Sequence, residues 1–265
     1  MVFENLGLIP ELLESIDYMG FTETTPIQEK AIPVIMAGRD LIASAQTGTG
    51  KTAAFLLPVM NDICRKRPEH THTLILVPTR ELAIQIDQQI LGLAYTLNIT
   101  SIAVYGGGDG SDWEQEKIAL SKGADMIVAT PGRLIAHLMQ GYVRFDRIKI
   151  LVLDEADRML DMGFIHDIRK IIAKLPLKRQ SLFFSVTMPG SIVELSRKIL
   201  SNPQKIEATP TATTAETVQQ YLYYTNKSTK KDLLHHILND KQISQVLLFS
   251  KTKHGADKIT RHLKS

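Results

Sequence analysis

Apolar side chains fall into two alternating patterns along the chain, short unbroken runs and stripes at helical spacing. Asp40-Leu41-Ile42-Ala43-Ser44, Thr73-Leu74-Ile75-Leu76-Val77, Ser101 to Tyr105, Met126-Ile127-Val128-Ala129, Ile150-Leu151-Val152-Leu153 and Ser181-Leu182-Phe183-Phe184 are runs of the kind that buried parallel strands show. The helical stripes lie before and between them. Leu8, Ile9, Leu12, Leu13 and Ile16 predict a helix over Leu6 to Met19 that stops at Gly20, and Thr25-Pro26-Ile27-Gln28 opens another through Ala31, Ile32 and Ile35. Ala53-Ala54-Phe55-Leu56-Leu57 predicts a third, interrupted at Pro58. After Pro189, Ile192, Leu195, Ile199 and Leu200 share one face, Asn202-Pro203 closes the helix, and Lys205-Ile206-Glu207 reads as a last strand. Strands alternating with helices at this spacing predict a doubly wound parallel α/β domain. Its polar clusters sit just past strand C-termini, where such sheets bind ligands.

The segment 208–217 carries no large apolar residue and contains Pro210, so it reads as a linker between a domain over 1–207 and a new segment over 218–265. In that segment Val218 to Tyr224 and Gln245 to Phe249 read as strands, and Lys230 to Leu238 and Ala256 to Leu263 as helices. It is too short to repeat the first domain and reads as the opening of a second α/β domain.

Composition changes this picture little. With 44% hydrophobic and 22% charged residues the 265-residue chain can bury a proper core, and the formal charge of +3 tolerates nucleic acid without arguing for it. Cys64 is the only cysteine, which excludes an internal disulfide and a cysteine metal site and suits a reducing compartment. No run approaches membrane-spanning length, and a cytoplasmic protein is expected.

The chemistry centres on Ala45-Gln46-Thr47-Gly48-Thr49-Gly50-Lys51-Thr52, between a strand and a helix. Gly48 and Gly50 let successive N–H groups turn toward an anion, and the helix start adds its positive end. Lys51 then reaches the β- and γ-phosphates of a nucleotide and the Thr52 hydroxyl holds Mg²⁺. The run that ends in Asp154-Glu155-Ala156-Asp157 is its natural partner: Asp154 as a metal ligand, Glu155 as the base that orients or deprotonates water. Acids also gather at helix starts because they cap well, and this bland reading weakens only beside a phosphate loop.

Three further clusters have double readings. Thr25-Pro26-Ile27-Gln28 is a good capping box, while the Gln28 amide also matches one edge of adenine and Phe21 offers a ring to pack on it. Pro78-Thr79-Arg80 and Thr130-Pro131-Gly132-Arg133 are ordinary helix starts, yet each sets a hydroxyl, free backbone N–H groups and an arginine where phosphate binds well. Gly106-Gly107 allows close approach of a nucleic-acid backbone. Several such sites on one sheet edge suggest a phosphate track read by backbone rather than by sequence.

Together these residues resemble the DEAD-box ATP-dependent RNA helicase family, superfamily 2. Phe21 with Thr25-Pro26-Ile27-Gln28 is similar to its Q motif, Ala45 to Thr52 to its Walker A, and Pro78-Thr79-Arg80-Glu81-Leu82 to motif Ia. Gly106-Gly107 is similar to the GG element, Thr130-Pro131-Gly132-Arg133 to motif Ib, Asp154-Glu155-Ala156-Asp157 to the motif that names the family, and Leu247-Leu248-Phe249-Ser250 to motif IV. The resemblance implies a RecA-like P-loop NTPase domain followed by an incomplete second RecA-like domain, with ATP and Mg²⁺ as cofactors and RNA as partner. It implies local unwinding of short RNA duplexes by the complete enzyme. Motif III, normally Ser-Ala-Thr, is here Ser185-Val186-Thr187; both hydroxyls that the family uses to couple hydrolysis to strand separation are kept. The chain stops before motifs V and VI, whose arginine fingers are worth on the order of 10³–10⁵ in rate in related enzymes, so it is expected to be a poor ATPase alone. The second reading is a short module that binds ATP or RNA without turnover. A DNA-directed translocase is disfavoured by the Asp-Glu-Ala-Asp and Thr-Pro-Ile-Gln pair. Family elements that begin at Phe3 leave no room for a localisation extension, which favours a compact bacterial enzyme.

Overall fold

Alternation inside the apolar runs decides which way each side chain faces. In β1 (Leu41–Ser44), β4 (Met126–Ala129), β5 (Ile150–Leu153) and β6 (Gln180–Ser185), successive residues enter opposite hydrophobic clusters. Leu41, Ala43, Met126, Val128, Ile150, Val152, Leu182 and Phe184 join one cluster; Ile42, Ile127, Ala129, Leu151, Leu153 and Phe183 join the other. Such strands are apolar on both sides because both faces are covered, which is why they read as unbroken runs. With β2 (Thr73–Leu76), β3 (Ser101–Val104) and β7 (Gln204–Glu207) they form a seven-stranded sheet in the order β3-β4-β2-β5-β6-β1-β7, each observed pairing parallel.

Helices α1 (Pro10–Tyr18), α2 (Pro26–Met36), α3 (Lys51–Lys66) and α4 (Arg80–Leu93) supply the first cluster with Leu12, Ile27, Phe55 and Ile86. Helices α5 (Gly110–Lys122), α6 (Pro131–Met139), α7 (Ala156–Asp161), α8 (Ile165–Ile172) and α9 (Gly190–Ile199) supply the second with Leu120, Leu134, Met159, Ile168 and Ile192. Helices on both faces of a parallel sheet make this a doubly wound, RecA-like α/β domain. On the first face Phe55 meets Phe184 with ring centroids 5.2 Å apart.

The structure is a computed structural model and describes all residues except 47, 108, 109, 208–218, 220, 241, 242 and 265. Thr47 and the whole of the expected linker lie outside the described residues. The chain divides into two units, Met1–Thr211 and Ala212–Ser265.

The structure corrects three expectations. The first helix does not begin at Leu6: Phe3–Leu6 is a 3₁₀ turn closed by Gly7 at φ 72°, and α1 starts with Pro10 in its first turn, where a missing N–H is harmless. Pro58 does not interrupt α3, which runs on to Lys66. Leu57, Val59 and Met60 are fully buried on either side of it, and that packing outweighs one absent hydrogen bond. In the second unit α10 (Lys230–Leu238) and α11 (Lys253–Lys264) are helices, but the described residues of Val218 to Tyr224 and of Gln245 to Phe249 are not strands. Neither segment has a ladder partner among the described residues, and without one an apolar run has nothing to make it a strand.

Candidate functional site

Because the strands are parallel, every segment that leaves a strand C-terminus emerges on one edge of the sheet, and the strand order divides that edge in two. The phosphate loop follows β1, Asp154-Glu155 follows β5 and Ser185-Val186-Thr187 spans the end of β6, three adjacent strands. Pro78-Thr79-Arg80 follows β2, Gly106-Gly107 follows β3 and Thr130 to Arg133 follows β4, again three neighbours.

In the first half Gly48 and Gly50 have φ of 83° and 87°, a backbone that favours glycine, and Gly50 caps α3. Lys51 is 7% exposed and its Nζ donates to the Ala45 carbonyl at 2.8 Å, while the Thr49 hydroxyl donates to the Gln46 carbonyl at 2.7 Å. Gln28 is also buried. Its Oε1 accepts the Thr25 N–H at 2.9 Å, the returning half of the capping box, and its Nε2 donates to the Gly50 carbonyl at 3.1 Å. One side chain thus ties the start of α2 to the phosphate loop, and both ends of its amide are engaged within the protein. Phe21 is half-buried and stacks on Phe3, with centroids 6.4 Å apart.

Asp154 is 3% exposed and its carboxyl is pushed up to about 6 by burial, against the pull of the Lys51 charge. Its Oδ1 accepts the Glu155 N–H at 2.9 Å, and its own N–H donates to the Leu76 carbonyl at 3.0 Å, joining the ends of β5 and β2. Glu155 sits at φ 47°, ψ 49°, a left-handed backbone that costs a non-glycine residue about 1–2 kcal/mol, and its carboxylate pairs with Arg158 at 3.1 Å. Asp157 Oδ2 accepts both the N–H and the hydroxyl of Thr187 at 2.8 Å. Burial raises the Asp157 carboxyl, but these bonds outweigh it and hold it below its ordinary value. The Ser185 hydroxyl donates to the Thr187 carbonyl at 2.7 Å, so both hydroxyls of this segment are used. Val186 between them is 39% exposed.

In the second half Thr79 caps α4 by accepting the Leu82 N–H at 3.3 Å. Arg80 donates to the Gly107 carbonyl at 3.1 Å and lies 4.7 Å from the Tyr105 ring centroid, so it joins two of the clusters. Pro78 and Pro131 are buried, Gly106, Gly107 and Gly132 are exposed, and the Thr130 side chain makes no capping bond to α6. Arg133 turns into the protein: its Nε donates to Glu116 Oε2 at 2.7 Å and its guanidinium lies 4.5 Å from the Trp113 centroid.

Sequence reasoning missed Glu116, Trp113, His137 and Tyr142, which gather around that arginine. Their spacing carried a signal, since Trp113 and Glu116 on α5, and Arg133 and His137 on α6, are each one helical turn apart. Nothing in that spacing says that the two pairs meet. Among the described residues no group of three or more histidine, cysteine or acidic side chains is placed to hold a metal ion, and no helix is long and apolar enough to cross a membrane.

The family model of the DEAD/DEAH box helicases matches residues 25–195. The chain is 40% identical over 261 residues to the ATP-dependent RNA helicase CshA of Listeria monocytogenes, an alignment that covers 98% of this chain and 49% of that protein. It is 38% identical over 261 residues to the DEAD-box ATP-dependent RNA helicase CshA of Geobacillus kaustophilus, covering 98% and 55%. Against the DEAD-box ATP-dependent RNA helicase RhpA of Helicobacter pylori it is 41% identical over 264 residues, covering 99% and 52%. The chain spans about half the length of the curated relatives it matches.

Proposed function

The chain belongs to the DEAD/DEAH box helicase family, and on that premise we propose that residues 1–207 are the ATP- and RNA-binding domain of a cytoplasmic ATP-dependent RNA helicase, with 208–217 as linker and 218–265 as the start of its second domain. One observation carries this reading: the sheet edge splits into a half with a phosphate loop and a buried carboxylate, and a half with exposed glycines and helix starts.

Nucleotide phosphates take the place of the Ala45 carbonyl at Lys51, and the amides from Gly48 to Thr52 close around them. Gln28 pairs with adenine by exchanging its bonds to Thr25 and Gly50, which makes the loop sensitive to an occupied base site. Thr52 and Asp154 are oxygen donors that suit a hard cation, and a carboxyl whose burial raises it to about 6 is one that a cation would favour in its charged form. When bound there, Mg²⁺ neutralises charge that develops on the phosphates. Glu155 orients or deprotonates the attacking water. Asp157 passes the state of this half to Ser185 and Thr187. In the other half Thr79, Arg80, Gly106, Gly107, Thr130, Pro131 and Gly132 follow an RNA backbone without reading its sequence, and Arg133, turned onto Glu116, supports them from behind.

The test is RNA-stimulated ATP turnover by the 265-residue chain, with Lys51→Ala and Glu155→Gln as controls. The expected result is binding of an ATP analogue that depends on Lys51, with little turnover. Analogue binding that is indifferent to Lys51→Ala overturns the assignment of the phosphate loop. Robust turnover lost in both variants keeps the assignment and removes the need for a complete second domain.

A further inference from the structure

Glu116 is the acid on which the RNA-facing half converges, although it lies in none of the motifs that carry the family resemblance. It is 3% exposed on α5, and three residues, one at the exit of β3 and two on α6, hydrogen-bond to it. Its Oε1 accepts the Tyr105 N–H at 3.0 Å, at the end of β3 and one residue before Gly106. Its Oε2 accepts Arg133 Nε at 2.7 Å and bonds His137 Nε2 at 2.8 Å, both on the helix that Thr130 and Pro131 begin. Trp113, one turn earlier on α5, stacks on His137 with centroids 3.8 Å apart and planes 14° apart, and also lies beneath the Arg133 guanidinium. Tyr142 closes the far side by hydrogen bonding to His137 Nδ1. Burial lowers the imidazole below its ordinary value, so the ring is neutral near pH 7; burial raises the phenol, which stays protonated. A neutral ring between a carboxylate and a phenol donates through Nε2 and accepts at Nδ1.

A buried carboxylate is costly unless its oxygens are satisfied, and here the Arg133 charge and three N–H donors do so. The same bonds fix the exit of β3 against the start of α6. The exposed pair Gly106-Gly107 and the helix start at Thr130 are thereby held at one spacing, and a ligand whose phosphates repeat along a chain must match that spacing.

We propose that Glu116 is a positioning residue for RNA: through Tyr105, Arg133 and His137 it sets the distance between the glycine turn after β3 and the start of α6, so that the two grip one backbone together. The inference rests on the proposed RNA-binding role of that edge. It makes a prediction opposite to that of simple electrostatics, because removing a carboxylate from a surface that meets a polyanion ordinarily strengthens binding.

The experiment measures binding of a labelled single-stranded RNA and of an ATP analogue to the 265-residue chain carrying Glu116→Ala or Glu116→Gln. Glu116→Ala is expected to weaken RNA binding about tenfold while analogue binding stays within about twofold. Glu116→Gln occupies the same volume and keeps an acceptor for the Tyr105 N–H, but turns an amide NH₂ toward the Arg133 and His137 donors, so it is expected to recover only part of the loss. Should Glu116→Ala not fold, Glu116→Gln is read against Arg133→Ala, and the order wild type, Glu116→Gln, Arg133→Ala in falling RNA affinity supports the proposal. RNA binding that is unchanged or tighter in Glu116→Ala overturns it, as does a parallel loss of RNA and analogue binding. Wild-type protein that binds no RNA, or that binds RNA equally well with Arg80→Ala, overturns the RNA reading of the edge and the inference with it.

Discussion

Ile150-Leu151-Val152-Leu153 and Val246-Leu247-Leu248-Phe249 are runs of the same apolar character, and the structure treats them in opposite ways. The first is β5, fully or nearly fully buried between β2 and β6. The second has no ladder partner among the described residues, Phe249 is 85% exposed, and α10, which precedes it in the chain, has no buried residue. The comparison teaches that strand propensity is a statement about surroundings. A β-forming run becomes a strand only where a partner strand and a packed face wait for it.

The largest expected contrast is in amide hydrogen exchange. Amides of β5 should open only with the first unit as a whole, whereas those of 245–249 should exchange near the rate of free peptide, about 10⁴-fold or more faster. Equal protection would break the comparison and reveal a closed sheet in the second unit. A pair of truncations sharpens it next. Phe184→Ala removes a fully buried ring that packs on Phe55 and should cost about 3–5 kcal/mol, while Phe249→Ala should stay within about 0.5 kcal/mol, both read from denaturant midpoints. The smallest contrast is between two glycines. A Cβ at Gly50 would lie 2.5 Å from Gln28 Nε2, on a backbone at φ 87°, so Gly50→Ala should destabilise by about 1–2 kcal/mol. A Cβ at Gly255 would lie equally close to Ser250 Oγ, but that is the rotatable end of an exposed side chain. Gly255→Ala should therefore be neutral or stabilise α11 by up to about 1 kcal/mol. Melting-temperature shifts of opposite sign would support the contrast, and shifts of the same sign would end it.

The same distinction explains what was legible in advance. Runs such as Met126 to Ala129 were read with their boundaries because a strand buried on both faces must be apolar at every position. The Thr25 and Gln28 cap was legible because it is local, three residues apart on one helix start. Pro58 misled because a local rule met a core that overrode it. Phosphate-loop and acidic-strand residues could be proposed because the chemistry expected of them needs those residue types in that order. Arg133 read as an outward phosphate ligand, yet it leans on Glu116 and Trp113, and that meeting depends on how α5 crosses toward α6. Gln28 read as a base reader, and its grip on the Gly50 carbonyl was invisible because 22 residues separate the two. Sequence periodicity places a side chain on a face; which face it meets is decided by topology.

A parallel sheet has a second edge, where strands begin, and here that edge carries no cluster assigned to nucleotide or RNA. The turn before β6 lies on it, and Leu177 there is 99% exposed. For anyone who wishes to tether this domain to a surface or to attach a dye, that turn is the natural anchor. A reporter fixed there stands at the opposite ends of the strands from Lys51, Asp154 and Gly106, and leaves both halves of the other edge uncovered.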